Sequence, residues 1–257
     1  MTSITEGKAT IPVPAATAQE VFYNPIQEFN RDMSIAAINV WSKIYLEETS
    51  QKSGGVELSN QKEINILEGL SATGLRAIRY AKECDNIAHI VANDFDASAA
   101  EAIKKNAEFN NVLGKVIPNE GDANMVMFQS IQKSGFGLQG LKFLVVDLDP
   151  YGSAAPFIDA AVRSIASGGL LCVTCTDMAV LAGSQWDACW AKYGSMPVPN
   201  ATFCHEMALR MLLAHIQTSC AKYGRRIEPL MSCSIDFYVR VFLQVIESPA
   251  ESKMMVA

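Results

Sequence analysis

From residue 64 onward, short apolar runs alternate with stretches whose apolar residues recur at helical spacing. Parallel strands need a crossover segment between them, and that segment is usually a helix, so the alternation predicts βαβ units and a doubly wound, mostly parallel sheet. This pattern constrains the fold more than any other feature of the chain. The strand-like runs lie at 64–67, 88–91, 115–117, 143–149 and 170–176.

The last part of the chain departs from this alternation. A helix predicted over 203–221 precedes two strand-like runs, 227–234 and 237–246, which only Ile235 and Asp236 separate. So short a link is typical of a hairpin, which places two antiparallel strands at one edge of the sheet. The predicted fold is therefore α/β, with a mostly parallel, Rossmann-like sheet and a terminal antiparallel hairpin. This is the arrangement of class I methyltransferases.

The first 55 residues follow a different pattern. Several prolines mark an extended arm, and a helix is predicted over 34–46 with Asp32 or Ser34 as its N-cap. The run at 51–55 has the composition of a loop. We expect this arm and helix, residues 1–55, to pack on the core.

Length and composition indicate one compact core. The 257 residues are 49% apolar, which suffices for one well-buried core, so we expect a core domain at 56–247 and a short tail at 248–257. No run of eighteen apolar residues and no secretory signal pattern occurs, which predicts an intracellular protein without a membrane segment. The net charge of −6 gives no basic footprint for nucleic acid, so such a partner must be inferred from the site.

The seven cysteines favour a reducing compartment rather than a disulfide framework. Cys172 and Cys175 have the spacing of half a zinc site, but they lie in a predicted buried strand. Residues three apart in a strand point to opposite faces, so the two thiols are not suited to share one ion. No bound metal is predicted.

Three loops that follow consecutive predicted strands carry residues suited to a nucleotide. Gly74 ends a glycine-containing turn just before a helix, where backbone amides can approach a ligand. Asp94 follows about twenty residues later, the spacing at which an acid binds a ribose diol. Asp122, followed by Ala123, offers a carboxylate to an adenine amino group. Either acid alone is more often a helix cap or a solvated loop residue, but together they favour a bound adenosine.

Two arginines are candidates for binding a carboxylate of the cofactor. A guanidinium matches a carboxylate with two parallel hydrogen bonds, which makes Arg31 in the N-terminal segment and Arg76 after the Gly74 turn candidates. For each, a surface salt bridge is an equally good interpretation. The residues alone leave that choice open.

The fourth long strand ends at Asp149, and Pro150, Tyr151 and Gly152 follow it. This order suits methyl transfer to an aromatic amine, whose lone pair is delocalised into its ring. Asp149 can accept the amine protons and act as a general base, the Pro150 carbonyl can accept a second hydrogen bond, and Tyr151 can stack on the base. A simple tight turn is the alternative.

Three further residues are secondary candidates. Asp147 would share a strand face with Asp149 and could orient it, since side chains two apart in a strand point the same way. Thr176 and Asp177 end the next predicted strand and could contact a substrate.

Taken together, these motifs resemble the tRNA guanine-26 N2 dimethyltransferase family over nearly the whole chain. The motifs that carry the resemblance are Glu6-Gly-Lys8, Val21-Phe-Tyr-Asn-Pro25, Gln27-Glu-Phe-Asn-Arg-Asp32, Ser71-Ala-Thr-Gly-Leu-Arg76, Asn93-Asp94, Gly121-Asp-Ala123 and Asp147-Leu-Asp-Pro-Tyr-Gly-Ser153.

The resemblance implies an enzyme that transfers one and then a second methyl group from S-adenosyl-L-methionine to the N2 amine of a tRNA guanine. It implies that Asp149 is catalytic and that Tyr151 holds the guanine. It also implies a nuclear location, with mitochondrion or cytoplasm as alternatives. The cofactor contacts that it implies are Arg31, Arg76, Asp94, Asp122 and Ala123.

One departure and two alternatives accompany this interpretation. Members of the family continue into a C-terminal domain that helps to hold tRNA, whereas this sequence ends soon after the predicted hairpin, so we expect the methyltransferase domain alone. The first alternative is a cofactor- or tRNA-binding module that no longer turns over because this second domain is missing. The second is an NAD-dependent oxidoreductase, which would explain Gly74 and Asp94 but lacks the G-x-G-x-x-G turn and leaves the 149–152 run without a role.

Overall fold

The computed structural model describes residues 2–13, 23–52, 64–131 and 141–252. The chain divides into two compact units, Met1–Ala123 and Asn124–Ala257. The predicted loop residues 53–55 and the end of the predicted tail, 253–257, lie outside the described residues. Within the described ranges, no helix is both long and apolar enough to cross a membrane.

The first unit alternates strands and helices after an N-terminal hairpin. Its described elements are β1 (Thr2–Glu6), β2 (Ala9–Val13), a 3₁₀ helix (Pro25–Gln27), α1 (Glu28–Lys52), β3 (Ile64–Glu68), α2 (Leu75–Glu83), β4 (Ile87–Asp94), α3 (Ala97–Phe109) and β5 (Val116–Glu120). β4 pairs in parallel with β3 on one side and with β5 on the other. Every residue of β3 is buried, as expected of a strand covered on both faces. The predicted βαβ units are confirmed here.

The N-terminal segment differs from its prediction. β1 and β2 form an antiparallel hairpin where an extended arm was expected. α1 begins at Glu28 rather than after Asp32 or Ser34, so the predicted N-cap is wrong. Capping is carried out by Asn24, whose Oδ1 accepts the Ile26 amide at 3.0 Å at the start of the 3₁₀ helix. Ser34 lies within α1, where its hydroxyl donates to the Asn30 carbonyl at 2.6 Å.

The hairpin packs on α2 through a small apolar cluster. Ala9 and Ile11 of β2 contact Leu75 and Ile78 of α2, and all four are almost fully buried. The Asn110 side chain completes the contact, since it donates to the Thr10 carbonyl at 2.7 Å and accepts the Thr10 amide at 3.0 Å. These two hydrogen bonds satisfy the backbone amide and carbonyl of Thr10, which need partners at the edge of β2.

A buried ion-pair network joins the same hairpin to α1 and α2. The Glu6 carboxylate, fully buried, accepts Arg31 Nε at 2.6 Å and Arg79 Nη1 at 2.7 Å. Arg79 also contacts Asp32 at 2.6 Å and Glu83 at 2.9 Å. Burial by itself would raise the pKa of Glu6, but the hydrogen bonds and charges of Arg31 and Arg79 hold that pKa below its usual value. The charge of Glu6 is thus compensated on two sides.

The second unit continues the alternation and ends in the hairpin. Its described elements are α4 (Ala123–Ile131), β6 (Val145–Leu148), α5 (Ala155–Ser164), β7 (Gly169–Cys175), α6 (Met178–Leu181), α7 (Trp186–Tyr193), α8 (Cys204–Ala221), β8 (Arg225–Ile235), β9 (Tyr238–Glu247) and α9 (Pro249–Ser252). The first residue of α4, Ala123, is the last residue of the first unit. Gln132, the predicted end of the α4 stretch, lies outside the described residues. Helices α6 and α7 were not predicted.

The strand pairing confirms the predicted terminal hairpin. β7 pairs in parallel with β6 and antiparallel with β9, and β9 pairs antiparallel with β8. Ile235 pairs with Tyr238, so the connecting residues are Asp236 and Phe237, one position later than predicted. Asp236 takes a left-handed φ of 45°, which such a tight link requires. A mostly parallel α/β arrangement with a terminal antiparallel hairpin is therefore confirmed.

A fully buried ion pair connects three strands of the second unit. Arg240 of β9 donates from Nη2 to both oxygens of Asp147 in β6, at 3.1 and 2.9 Å. Its Nη1 donates to Thr174 Oγ1 of β7 at 2.6 Å, and its guanidinium lies 4.8 Å from the ring centre of Phe242. A buried carboxylate is tolerated only when its charge is compensated in this way.

Replacing Arg240 by Met should therefore destabilise the protein strongly. The substitution keeps much of the side-chain volume but leaves the Asp147 carboxylate buried and unpaired, so we expect a loss of about 3–5 kcal/mol in the free energy of unfolding. Urea denaturation followed by circular dichroism measures this. Arg210→Met, which removes the exposed pair with Glu206, is the control and should change stability by less than about 1 kcal/mol. Equal losses in both variants would contradict the prediction.

Stability should also fall in acid. The pKa of Glu83 is lowered, because its hydrogen bonds to Arg79 and to the Lys8 amide outweigh the effect of burial, and that of Glu6 is lowered as described above. Groups with lowered folded-state pKa values stabilise the fold above the ordinary value of 4.5, and that stabilisation is lost as pH falls through the folded-state values. Unfolding free energies between pH 7 and pH 3 should show this decline, and Glu6→Gln should make it shallower. A Glu6→Gln curve parallel to wild type would argue against the network.

Candidate functional site

The loop between β3 and α2 has the backbone shape of a ligand-binding turn. Gly74, at the N-terminus of α2, has a left-handed φ of 74°, and an added Cβ would lie 3.1 Å from the side chain of Ile103. Both the conformation and the space therefore favour glycine. Ala72 also has a positive φ, of 48°, which is uncommon for a residue with a side chain. This position was not singled out from the sequence.

Asp94 holds the strained residue of this loop in place. One carboxylate oxygen, Oδ2, accepts the Ala72 amide at 2.8 Å, and the other accepts the Asp96 amide at 3.1 Å. Asp94 is half-buried at the end of β4, and a carboxylate has lone pairs for about four hydrogen bonds. Acceptor capacity thus remains for hydroxyl groups such as those of a ribose, as the predicted role requires.

Asn93 joins three loops of the first unit. Its side-chain amide donates to the Gly69 carbonyl and to the Gly121 carbonyl, each at 2.9 Å, and its oxygen accepts Asn119 Nδ2 at 2.6 Å. The backbone carbonyl of Asn93 accepts the Ser71 amide at 2.8 Å. The turn after β3, the end of β4 and the turn after β5 are therefore brought together, as was expected for these loops. Asn93 was noticed in a motif, but no role was predicted for it.

The two remaining residues predicted for the adenine lie at the start of α4. Asp122 is exposed directly before that helix, and Ala123, its first residue, is buried. Phe95, which follows Asp94, is 79% exposed, an unusual position for so large an apolar side chain. Phe95 was not among the cofactor residues predicted from the sequence. Its signal was an aromatic residue next to the acid that ends the second strand of the nucleotide-type pattern.

The two candidate arginines are buried and have protein partners. Arg31 is bound to Glu6 and also donates to the Asn24 carbonyl at 3.1 Å. Arg76 lies 3.5 Å from Glu68 and donates from Nη1 to Asn30 Oδ1 at 3.0 Å. Neither forms the surface salt bridge that was the alternative interpretation, since both are more than nine-tenths buried. Their role toward a cofactor carboxylate stays a prediction.

The run at 149–152, here called the reaction loop, begins directly after β6. Asp149 is half-buried and Pro150 is buried, whereas Tyr151 is 78% exposed with its ring available for stacking. The pKa of Tyr151 is raised by partial burial and by the negative charge of Asp149. The carboxylate and the aromatic ring therefore both follow the end of β6 within three residues of each other.

Thr176 fixes the end of the reaction loop. Its hydroxyl accepts the Gly152 amide at 2.8 Å, and its own amide donates to the Gly152 carbonyl at 2.8 Å. Gly152 has a left-handed φ of 74°, which explains glycine at this position. Thr176 therefore lies beside the reaction loop, and its predicted contact with a substrate stays a prediction. Asp147, expected to orient Asp149, instead forms the ion pair with Arg240.

The cysteines and other metal-ligand residues give no metal centre in the described part of the chain. Cys172 and Cys175 both lie in the buried strand β7, as predicted. Burial raises the pKa of Cys175 to about 12, so its thiol keeps its proton. Across residues 2–13, 23–52, 64–131 and 141–252, no three His, Cys, Asp or Glu side chains cluster as a metal site requires.

Comparison with known proteins gives a consistent family. The sequence pattern of the family described as N2,N2-dimethylguanosine tRNA methyltransferase matches residues 2–257. A tRNA (guanine(26)-N(2))-dimethyltransferase of Schizosaccharomyces pombe is 44% identical over 96% of this chain and 50% of the relative. The human protein of the same name is 41% identical over 98% of this chain and 43% of its own length. The chain thus spans about half the length of these relatives.

Solved structures agree with this assignment. The structure of Trm1 from Pyrococcus horikoshii with S-adenosyl-L-methionine is similar with a TM-score of 0.80 and 29% identity, covering 99% of this chain and 64% of that one. Trm5b from Pyrococcus abyssi, at 16% identity and a TM-score of 0.60, shares the fold. The predicted Rossmann-like class I methyltransferase fold is confirmed, and the chain belongs to the N2,N2-dimethylguanosine tRNA methyltransferase family.

Proposed function

We propose that this chain binds S-adenosyl-L-methionine and transfers its methyl group to the N2 amine of a guanine in tRNA, at position 26 and up to twice. The observation that carries the proposal is the reaction loop, in which a half-buried carboxylate, Asp149, is followed by an exposed ring, Tyr151. Membership of the family and the printed names of the relatives support the choice of guanine and tRNA.

The residues of the first unit fit the adenosine part of the cofactor. The Asp94 carboxylate keeps acceptor capacity for the ribose hydroxyls, and the exposed ring of Phe95 offers a face on which adenine can stack. Asp122 is exposed and can accept from the adenine amine. Arg31 and Arg76 are paired with Glu6 and Glu68, so their contact with the cofactor carboxylate stays a prediction that the family resemblance implies.

The residues of the reaction loop fit an aromatic amine as acceptor. When bound, S-adenosyl-L-methionine supplies a methyl group that is activated by its positively charged sulfur. In our proposal Tyr151 stacks on the guanine, and the Pro150 carbonyl and the Asp149 carboxylate accept hydrogen bonds from the N2 amine. As the new nitrogen–carbon bond forms and the carbon–sulfur bond breaks, positive charge develops on N2. Asp149 stabilises this charge and takes the departing proton.

The alternatives are less well supported. An NAD-dependent oxidoreductase would leave the reaction loop without a role, and the relatives carry methyltransferase names. A binding module without turnover is less favoured, because the relatives are named as dimethyltransferases and Asp149, Pro150 and Tyr151 are all present in this chain. The nuclear location stays a prediction, and a Saccharomyces cerevisiae relative is named as mitochondrial. The division of the chain at residues 55 and 247 also stays a prediction.

Replacing Asp149 by Ala should abolish methyl transfer. Loss of the group that accepts the N2 proton should lower the rate constant by on the order of 10²–10⁴-fold, while the affinity for S-adenosyl-L-methionine stays close to wild type. Incorporation of radiolabelled methyl groups into unmodified tRNA measures the rate, and calorimetry measures the affinity. Asp159→Asn, in α5 of the same unit, is the control and should retain activity. Normal turnover of Asp149→Ala would remove this residue from the mechanism.

Replacing Phe95 by Ala should weaken cofactor binding. Stacking of an aromatic side chain on a base contributes about 1–3 kcal/mol, so the dissociation constant for S-adenosyl-L-methionine should rise by roughly tenfold. Phe109→Ala is the control, since Phe109 is also exposed, at the end of α3 in the same unit, and should leave the affinity unchanged. Equal affinities of the two variants would contradict the role of Phe95. No binding by wild type at millimolar ligand would contradict the cofactor proposal itself.

A further inference from the structure

Tyr193 is the last residue of α7, a helix that the sequence analysis did not predict. Its side chain is 3% exposed, and Cys189, one turn earlier on the same helix, is fully buried. Its ring packs edge-on against His215 of α8, with the ring centres 5.7 Å apart. The position of the ring is therefore set by packing, and removal of the hydroxyl alone should leave that packing in place.

The hydroxyl of Tyr193 lies between two polar side chains from different segments. It is 2.6 Å from Ser153 Oγ and 2.8 Å from Asp177 Oδ1, while Cys175 Sγ, a weaker acceptor than a carboxylate, lies 3.6 Å away. The Asp177 carboxylate accepts hydrogen bonds, and Lys192 Nζ donates to its other oxygen at 3.1 Å. Tyr193 must therefore give its single proton to Asp177. Ser153 then has to donate to the Tyr193 oxygen, which fixes the direction of each hydrogen bond.

Burial raises the pKa of Tyr193 above its ordinary value of 10, so this hydroxyl keeps its proton at neutral pH. Ser153 Oγ, having donated to Tyr193, accepts the Ala155 amide at 3.2 Å at the start of α5. The hydrogen bonds thus run without interruption from Lys192 and Asp177, through Tyr193, to the first residues of α5. In this series Lys192 and Tyr193 donate to Asp177, Ser153 donates to Tyr193, and the Ala155 amide donates to Ser153.

Ser153 directly follows the reaction loop, so its position decides where that loop ends. Gly152, one residue earlier, is held by both of its backbone hydrogen bonds to Thr176. Thr176 and Asp177 are adjacent in sequence, at the end of β7. Two consecutive residues of one segment therefore hold two consecutive residues of the other. The second contact is indirect and depends on the Tyr193 hydroxyl.

We propose that Tyr193 is a positioning residue for the reaction loop: by bridging Asp177 and Ser153, its hydroxyl fixes the path of residues 149–152 and hence the place of Asp149. The inference rests on the proposed function in so far as the loop is taken as catalytic. Small displacements of reacting groups are costly, because catalysis depends on alignment with the bound substrate.

Tyr193→Phe tests the proposal, because it removes the hydroxyl and keeps the ring. We expect kcat for tRNA methylation to fall by on the order of tenfold, with the KM for S-adenosyl-L-methionine within about twofold of wild type. Tyr223→Phe is the matched control: its hydroxyl also bonds an aspartate, Asp159, at 2.9 Å, on the surface of the same unit. That variant should keep wild-type kcat.

Ser153→Ala should reproduce the loss of kcat, and the double variant Ser153→Ala/Tyr193→Phe should lose no more than either single variant. Such non-additivity is expected only when the two side chains act through one shared interaction. Additive losses, or a kcat for Tyr193→Phe within about twofold of wild type, would overturn the positioning role.

Hydrogen exchange tests the loop independently of activity. The amides of Gly152, Ala154 and Ala155 donate to Thr176 Oγ1, Cys175 Sγ and Ser153 Oγ, so the peptide over residues 150–156 reports on the bridge. Exchange there should become about fivefold faster in Tyr193→Phe and stay unchanged in Tyr223→Phe. Unchanged exchange in Tyr193→Phe would overturn the proposal. If wild type transferred no methyl groups, the proposed function would fail, while exchange would still decide whether Tyr193 holds the loop.

Discussion

The side-chain amide of Asn93 is the interaction on which the nucleotide-directed part of the structure depends. With two hydrogens and one oxygen it bonds to Gly69, Gly121 and Asn119, so one side chain fixes the turns that follow β3 and β5 relative to the end of β4. Asp94, the next residue, can then use its carboxylate to hold Ala72. Because Asn93 is fully buried, each of these polar groups would be costly to leave unbonded. These hydrogen bonds within the protein therefore fix the positions of the loops relative to one another.

Buried charge is used in both units to join segments that are distant in sequence. Glu6 pairs with Arg31 and Arg79, and Asp147 pairs with Arg240, each with the carboxylate fully buried. Such pairs contribute little net stability compared with apolar residues of equal volume, but they penalise any arrangement in which one partner is displaced. They therefore specify which hairpin, helix and strand lie together. The arginine expected to face a ligand, Arg31, is engaged in one of these pairs.

Much of the fold could be predicted because its signals are local. Apolar runs such as 64–67 and 170–176 are strands in the structure, since a segment of that length and composition can be buried on both faces. The terminal hairpin could be predicted because a two-residue link between two strands is too short for a crossover and leaves an antiparallel hairpin. The N-terminal hairpin and α7 were missed. β1 and β2 have only five residues each, too few for a clear period, and β2 contains Pro12. α7 exposes Trp186 and Trp190, so its largest apolar residues do not mark a buried face.

By itself, the sequence determined the α/β class and the candidate site residues. Strand periodicity is a local signal, and residues such as Asp94, Asp149 and Tyr151 are recognised from the short motifs that contain them. Only the tertiary structure decided which side chains are partners. Asn93 bonds to Gly121, 28 residues away, and Tyr193 to Ser153, 40 residues away. Local sequence patterns do not indicate such pairings. The pairings arise only when burial removes water, because each buried polar group then needs a donor or acceptor within the protein.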